Sequence, residues 1–439
     1  MDLGHGLGHL TYSTLVHPAD DWPQLWDSLQ KYLPQVKKRI SPNQPFGVCI
    51  RLSHLTAGEL HVKKAEREKL KKFLADNDLY VYTANAFVYG VFKNTQIKEQ
   101  VYEPDWRTDE RREYTKQVAD ILADVCPAFA TPSIQTAPLG FKPRVTGPDV
   151  VDAFTENVLK VVAHLVKLER ETGKLLTLGL EPEPRCYLET TDETITYFHE
   201  HLYTGKSAAR VAKLADIPMD SAISALRRHL GVVFDIGHQA VGFEDIPLSL
   251  QKLVDAGVPI VKLQEAASMY IGEVTDEKIE ALQRFAKTIY LSQTVECRGD
   301  HLEHYMNLED AFKSWDKDKT PRQWRTHFHV PVFLTDLGPF KSTQFALEQA
   351  LAMHKKTPLS RHLEIETYTW DVLPDHLKTG DIVDYVCRLK QGELHPASDV
   401  VDARWVSRQE LANYKLTEAA AEVILSVFEV AVEPGGSNR

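Results

Sequence analysis

The chain has little with which to hold itself together covalently. Its 439 residues include five cysteines, Cys49, Cys126, Cys186, Cys297 and Cys387, an odd number, widely scattered and never spaced as CxxC. That excludes a zinc ribbon and argues against a disulfide framework, so reduced thiols and a cytoplasmic setting are expected. Basic charge is also in deficit, with a formal net charge of -11. Nucleic acid and anionic membranes both reward a basic surface, so neither is expected as a partner. No stretch reaches the ~18 apolar residues of a membrane span. The opening MDLGHGLGHLTYSTL lacks the basic and apolar regions of a signal peptide. There is no internal repeat, no low-complexity tract and no long Gly- or Pro-rich linker.

What the chain does have is alternation. Short β-like runs recur between longer segments of helical period. They are LTYSTLVH (10–17), PFGVCIRLS (45–53), LYVYTANAF (79–87), PAFATPSIQ (127–135), KLLTLGLEPEP (174–184), LGVVFDIGH (230–238), VPIVKLQ (258–264) and HLEIETYTW (362–370). Two further β-like runs, YLSQTVECR and THFHVPVF, precede the last of these. Alternating strand and helix predicts a parallel sheet with helical crossovers, and eight such units close a (β/α)8 TIM barrel in ~250 residues. The α/β barrel is predicted over 1–375, with extra length at 88–126, 184–228 and 266–326. A short C-terminal α+β extension, 376–439, follows the boundary DVLPDHLKTGD. A doubly wound open sheet is the competing architecture, but no GxGxxG follows an early strand to favour it.

In a barrel of this kind, polar residues at the carboxyl ends of strands face the active site. LGLEPEP brings Glu181 and Glu183, and VVFDIGH brings Asp235 and His238. THFHVPVF carries His327 and His329, and HLEIETYTW carries Glu364 and Glu366, each pair two apart on one strand face. Glutamates, an aspartate and a histidine together suit Mn²⁺, Mg²⁺ or Zn²⁺. The expected ligands are Glu181, Asp235, His329 and Glu366, with His238, His327 and Glu364 as further candidates. Such a metal can polarise a carbonyl while a flanking carboxylate, Glu181 or Glu366, takes a proton from the next carbon. Plainer readings exist: Glu-Pro-Glu-Pro as a rigid loop, Asp235 as a helix cap, a histidine of HFH as a satisfied core residue. Carboxylates on an apolar strand are harder to dismiss, because burial leaves them in need of partners. YEPDW (102–106) reads either as a lid that sets Tyr102 and Trp106 on the substrate or as an anchored loop.

The order Glu, then Asp-x-x-His, then His, then Glu resembles the xylose isomerase-like barrel superfamily of sugar isomerases and epimerases. Within it, LTYSTLVHPADDW, FGVCIRLS, KEQVYEPDWRTDERREYT, LEPEPRCYLETT, FDIGHQAV, HFHVPVF and HLEIETYTWDVLP resemble the EboE family of metabolite traffic proteins. The resemblance covers about 1–375 and implies one metal-binding-type barrel, encoded beside genes that move a metabolite precursor. Its implied partners are a small-molecule metabolite and proteins of the same gene cluster. Three positions depart from the pattern. Ser13 and Leu15 stand where the family's first strand has Cys and Asn, and Gln264 stands where many superfamily enzymes place a ligand histidine. His327 or His329 could take that place.

The segment 385–424, with DARWVSRQEL at its centre, resembles the C-terminal half of a Nudix hydrolase domain. The Nudix box and its metal-binding glutamates are absent from the chain, so Nudix chemistry is not expected. The leading expectation is a metal-dependent isomerase or epimerase of a sugar-like hydroxy-carbonyl compound. A metabolite-binding or handover protein that keeps the pocket without turnover is the second. A phosphodiesterase of the endonuclease IV type is the third; it would want a histidine-rich zinc site and a basic DNA face, and the acidic balance argues against it.

Overall fold

The computed structural model describes residues 1–92, 98–286, 290–367 and 369. The strands are β1 (His9–Tyr12), β2 (Phe46–Arg51), β3 (Leu79–Asn85), β4 (Ser133–Thr136), β5 (Thr177–Leu180), β6 (Leu230–Asp235) and β7 (Ile260–Glu265). Then come β8 (Ala267–Ile271), β9 (Thr294–Arg298), β10 (His301–Tyr305), β11 (Gln323–Val330), β12 (Lys341–Ser342) and β13 (His362–Ile365). Eight of them pair in the order β1-β13-β7-β6-β5-β4-β3-β2, parallel at every step. A parallel bridge between Ser13 and Cys49 joins β1 to β2 and closes the ring, and Thr11 Oγ1 donates to the Gly47 carbonyl across that seam at 2.8 Å. The fold is a (β/α)8 barrel.

The local reasons are legible. All six residues of β6 are buried, as expected of a strand covered on both faces. Gly231 is needed there, because a Cβ would sit 2.3 Å from the Pro259 carbonyl oxygen. The long outer helix Pro148–Thr172 turns Phe154, Val158, Val162 and Leu165 inward at helical spacing. It ends where Gly173 takes a left-handed conformation, φ 71°.

One expectation is corrected. THFHVPVF is expected among the barrel's strand ends, but it supplies β11 and YLSQTVECR supplies β9 of a separate antiparallel sheet, order β10-β9-β11-β8-β12, inserted between β7 and β13. Periodicity assigns a strand but not the sheet it joins. His327 and His329 therefore reach the barrel's carboxyl end from this added sheet. Among the described residues Cys49, Cys126, Cys186 and Cys297 are free thiols. No described helix is long and apolar enough to cross a membrane. Cys387 and the extension 376–439, with its Nudix-like segment, lie outside the described residues.

Candidate active site at the barrel mouth

The ends of β5, β6, β7 and β13 converge. The register sets Asp235 beside Gln264 and Gln264 beside Glu364, so three polar side chains stand in one row across neighbouring strands. Asp235 does two jobs. Its Oδ1 accepts the His238 backbone N–H at 2.9 Å and caps the helix Ile236–Val241, while its Oδ2 is buried without a hydrogen-bond partner. The cap and the site are thus the same residue. Glu366 Oε2, Glu364 Oε1 and both amide atoms of Gln264 are likewise buried without partners. Glu181 accepts from Gln135 Nε2 at 2.6 Å. Unpartnered buried polar atoms in one place are costly, and their clustering is the mark of a binding site.

Three imidazoles complete the cluster. His238 Nε2 lies 3.0 Å from His327 Nε2, which lies 3.2 Å from His329 Nε2. The far side of each ring fixes its tautomer. His238 Nδ1 faces the Pro182 carbonyl at 3.1 Å and His329 Nδ1 faces the Glu366 carbonyl at 3.1 Å. His327 Nδ1 faces Gln293 Oε1 at 3.1 Å, and that amide is oriented by its own donation to Glu183 and to the Pro184 carbonyl. Every Nδ1 must donate, so every Nε2 presents a lone pair towards its neighbours. The rings are neutral: burial pushes His238 down to about 3 and His329 to about 4, and burial with the adjacent imidazoles holds His327 well below the usual range.

The carboxyl groups shift the other way. Burial, then the nearby Glu366 and Asp235, raises Glu181 well above the ordinary glutamate value. Burial, then Glu364 and Asp235, does the same to Glu366. Burial raises Glu183 to about 8 and Asp235 to about 6. A group of this kind holds a proton in the folded state that the unfolded chain has already lost. Stability therefore falls as pH rises through the window between the ordinary value and the raised one, by up to about 1.4 kcal/mol per pH unit for each group. Above pH ~7 the histidines of the unfolded chain are largely neutral and no longer oppose this trend. The metal-free protein is expected to melt at a lower temperature at pH 8 than at pH 7, and a bound divalent cation is expected to flatten that slope. Calorimetric melting with and without metal checks both.

Sequence reading missed the residue that anchors this cluster from below. Lys262, on β7, is fully buried and bonds Glu364 Oε2 and Gln135 Oε1, with Cys49 Sγ at 4.0 Å. Burial alone would lower its pKa, but the neighbouring Cys49 and Glu364 outweigh that and keep it an ammonium. A lysine inside IVKLQ gave one signal, an interrupted apolar strand. Glu364 is thereby committed to Lys262, and Gln135 links Lys262 to Glu181. Lys262→Met is expected to destabilise the fold by about 3–5 kcal/mol, since it leaves a buried carboxylate alone. Lys262→Met combined with Glu364→Leu is expected to recover most of that loss in denaturant melts.

A cavity opens over the cluster; together with the open solvent at its mouth, its empty space is about 560 Å³. Glu181, Glu183, Glu366, Gln135, Asn85, His238 and His327 line it together with Leu15, Phe87, Val88, Phe92, Val101, Tyr290, Leu291 and Lys98. Tyr102 and Trp106 do not. Tyr102 is fully buried and donates to Glu183 at 2.7 Å, and Trp106 packs in the main core with its indole N–H on Thr136 at 3.2 Å. The structure gives YEPDW the anchored-loop geometry. Glu183, left out of the expected ligand set, does line the cavity.

No protein-family model matches the chain. No curated protein matches it either. Among solved structures, a xylose isomerase-like TIM barrel protein from Mycobacterium smegmatis in complex with magnesium is 12% identical, covering 87% of this chain and 96% of that one, with a TM-score of 0.45. The 3-keto-D-glucoside 4-epimerase of E. coli is 16% identical over 58% of this chain and 78% of that one, TM-score 0.32. The IOLI protein, with a bound zinc atom, is 12% identical over 59% and 73%, TM-score 0.34. The barrel assignment itself stands on the strand order and the closing bridge.

Proposed function

We propose that the protein is a divalent-metal-dependent isomerase or epimerase of a hydroxy-carbonyl compound. The observation that carries this reading is the convergence of three Nε2 lone pairs, 3.0 and 3.2 Å apart, beside the unpartnered oxygens of Asp235 and Glu366. Three neutral imidazoles facing one another repel unless something positive sits between them. Ligand nitrogens around a tetrahedral zinc ion lie about 3.3–3.4 Å apart, from Zn–N distances near 2.0–2.1 Å. The donor set fits a metal. His238, His327 and His329 offer nitrogen, and Glu181, Asp235 and Glu366 offer oxygen. Gln264 Oε1, buried without a partner on the same row, could add a neutral ligand where the resemblance led to the expectation of histidine. The imidazoles favour zinc over magnesium, and the carboxylates beside them also suit manganese.

When bound, such a cation would polarise a substrate carbonyl and make the neighbouring C–H more acidic. The chain's own part is proton transfer and orientation. Glu366 lines the cavity and its Oε2 is buried without a competing hydrogen bond, while Glu181 is held by Gln135. Glu183, steadied by Tyr102 and Gln293, stands ready as a second acid or base. The barrel, 1–375, is the working unit in this reading. The likeness of its segments to the EboE family supports a role in metabolite traffic, with proteins of the same gene cluster as partners. Buried free thiols support a cytoplasmic setting. The histidine cluster also meets one requirement of the phosphodiesterase reading, but Lys98 is the one lysine or arginine on the cavity lining among the described residues, too little to grip a nucleic-acid backbone. Elemental analysis of protein reconstituted with zinc or manganese is expected to find at least about one equivalent per chain. A chain that retains none after reconstitution removes the proposal.

A further inference from the structure

We infer that the compound taken at this site is amphiphilic: a hydroxy-carbonyl head joined to an apolar group about the size of a phenyl ring, and neither a bare sugar nor a sugar phosphate. The inference rests on the metal-dependent reading and adds the chemistry of the rest of the ligand. Leu15, Phe87, Val88, Phe92, Tyr290 and Leu291 line the same cavity as Glu181 and Glu366. They belong to one apolar cluster that is separate from the barrel core. They come from the segments after β1 and β3 and from the stretch before β9, three distant parts of the chain. Packing within a single element does not bring them together.

A sugar carries a hydroxyl on nearly every carbon. Against the leucine, valine and phenylalanine side chains of this wall, each one would give up water and gain no partner. Most of the polar lining comes instead from the barrel's strand ends, with Asn85 on β3, Gln135 on β4 and Glu181 directly after β5. Asn85 also lines the cavity: its Oδ1 accepts the Phe87 N–H at 3.2 Å, and its Nδ2 is buried without a hydrogen-bond partner. A phosphate fares no better. The one lysine or arginine on the lining among the described residues is Lys98, which gives a phosphate dianion a single cationic side chain to pair with. An apolar group against the wall gains from leaving water, while the head meets the oxygen and nitrogen donors below.

The test uses the full chain loaded with zinc or manganese, its metal content measured first. Calorimetric titrations with 2-hydroxyacetophenone, D-fructose and D-fructose 6-phosphate are compared. The aromatic hydroxy ketone is expected to bind at least about tenfold more tightly than either sugar. Leu291→Asn, and the nearly isosteric Val88→Thr, are each expected to weaken it about three- to tenfold with unchanged metal content, measured well below the melting temperature that the buried polar group lowers in each variant. Fructose or its phosphate binding as tightly as the ketone, no ketone binding at millimolar concentration, or ketone affinity unchanged in both variants would overturn the inference while the metal reading stands. A chain that holds no metal overturns both.

Discussion

Asp235→Asn is expected to lower affinity for zinc or manganese by at least about 100-fold, more than changes to residues behind the ligands usually cost. The substitution is informative because the two carboxylate oxygens have separate tasks. Oδ1 caps the helix Ile236–Val241 through the His238 N–H, and an asparagine oxygen can keep that cap. Oδ2 is buried with no hydrogen-bond partner, and it is the charge on this side that is lost. The metal-free variant should therefore melt at or above the wild-type temperature, since a buried carboxyl group has been neutralised. The rise in melting temperature on adding metal should shrink or vanish. Competition against a chelator of known affinity gives the ratio. Unchanged affinity would take Asp235 out of the ligand set.

The barrel was legible because parallel strands buried on both faces write themselves as short apolar runs, and eight of the ten predicted runs overlap a barrel strand. Their ends were less legible. Strand periodicity does not show that LEP leaves the strand after Leu180, or that VVFD passes into a helix at Ile236. Glu181, Asp235 and Glu366 could be picked out because an acid at the end of an apolar run has few uses. The three-histidine arrangement could not. HFH shows two imidazoles on one strand face, but nothing local says that this strand belongs to an added sheet, or that its histidines meet His238 from across the barrel end. Lys262 and Gln135 were missed for a related reason. A single polar residue inside a strand is common, and only the closed ring brings β2, β4, β7 and β13 to one ammonium group. Tyr102 and Trp106 show the limit from the other side: aromatic residues in a long insertion suit a lid or an anchored loop equally well in sequence, and both are fully buried here.

Glu366→Gln is expected to cut proton exchange between substrate and solvent by at least about 100-fold, the lower range for loss of a general base. If Glu366 removes a proton from the carbon next to the carbonyl, the wild type in deuterated water should place deuterium at that carbon, even where equilibrium hides net conversion. Glutamine keeps the size and one oxygen but cannot accept the proton. The change is also clean for its neighbour, because His329 Nδ1 is held by the backbone carbonyl of residue 366, which the substitution leaves in place. The buried, unpartnered Oε2 becomes an amide in the variant, so metal content must be measured beside the exchange rate. Exchange lost with metal retained assigns the base. Exchange persisting at the wild-type rate removes Glu366 from that role and turns to Glu183, which lines the same cavity and is raised by burial to about 8. A hydroxy ketone that binds the metal-loaded wild type, exchanges no proton and binds Glu366→Gln equally well would mark the barrel as a carrier that holds its metabolite without turning it over.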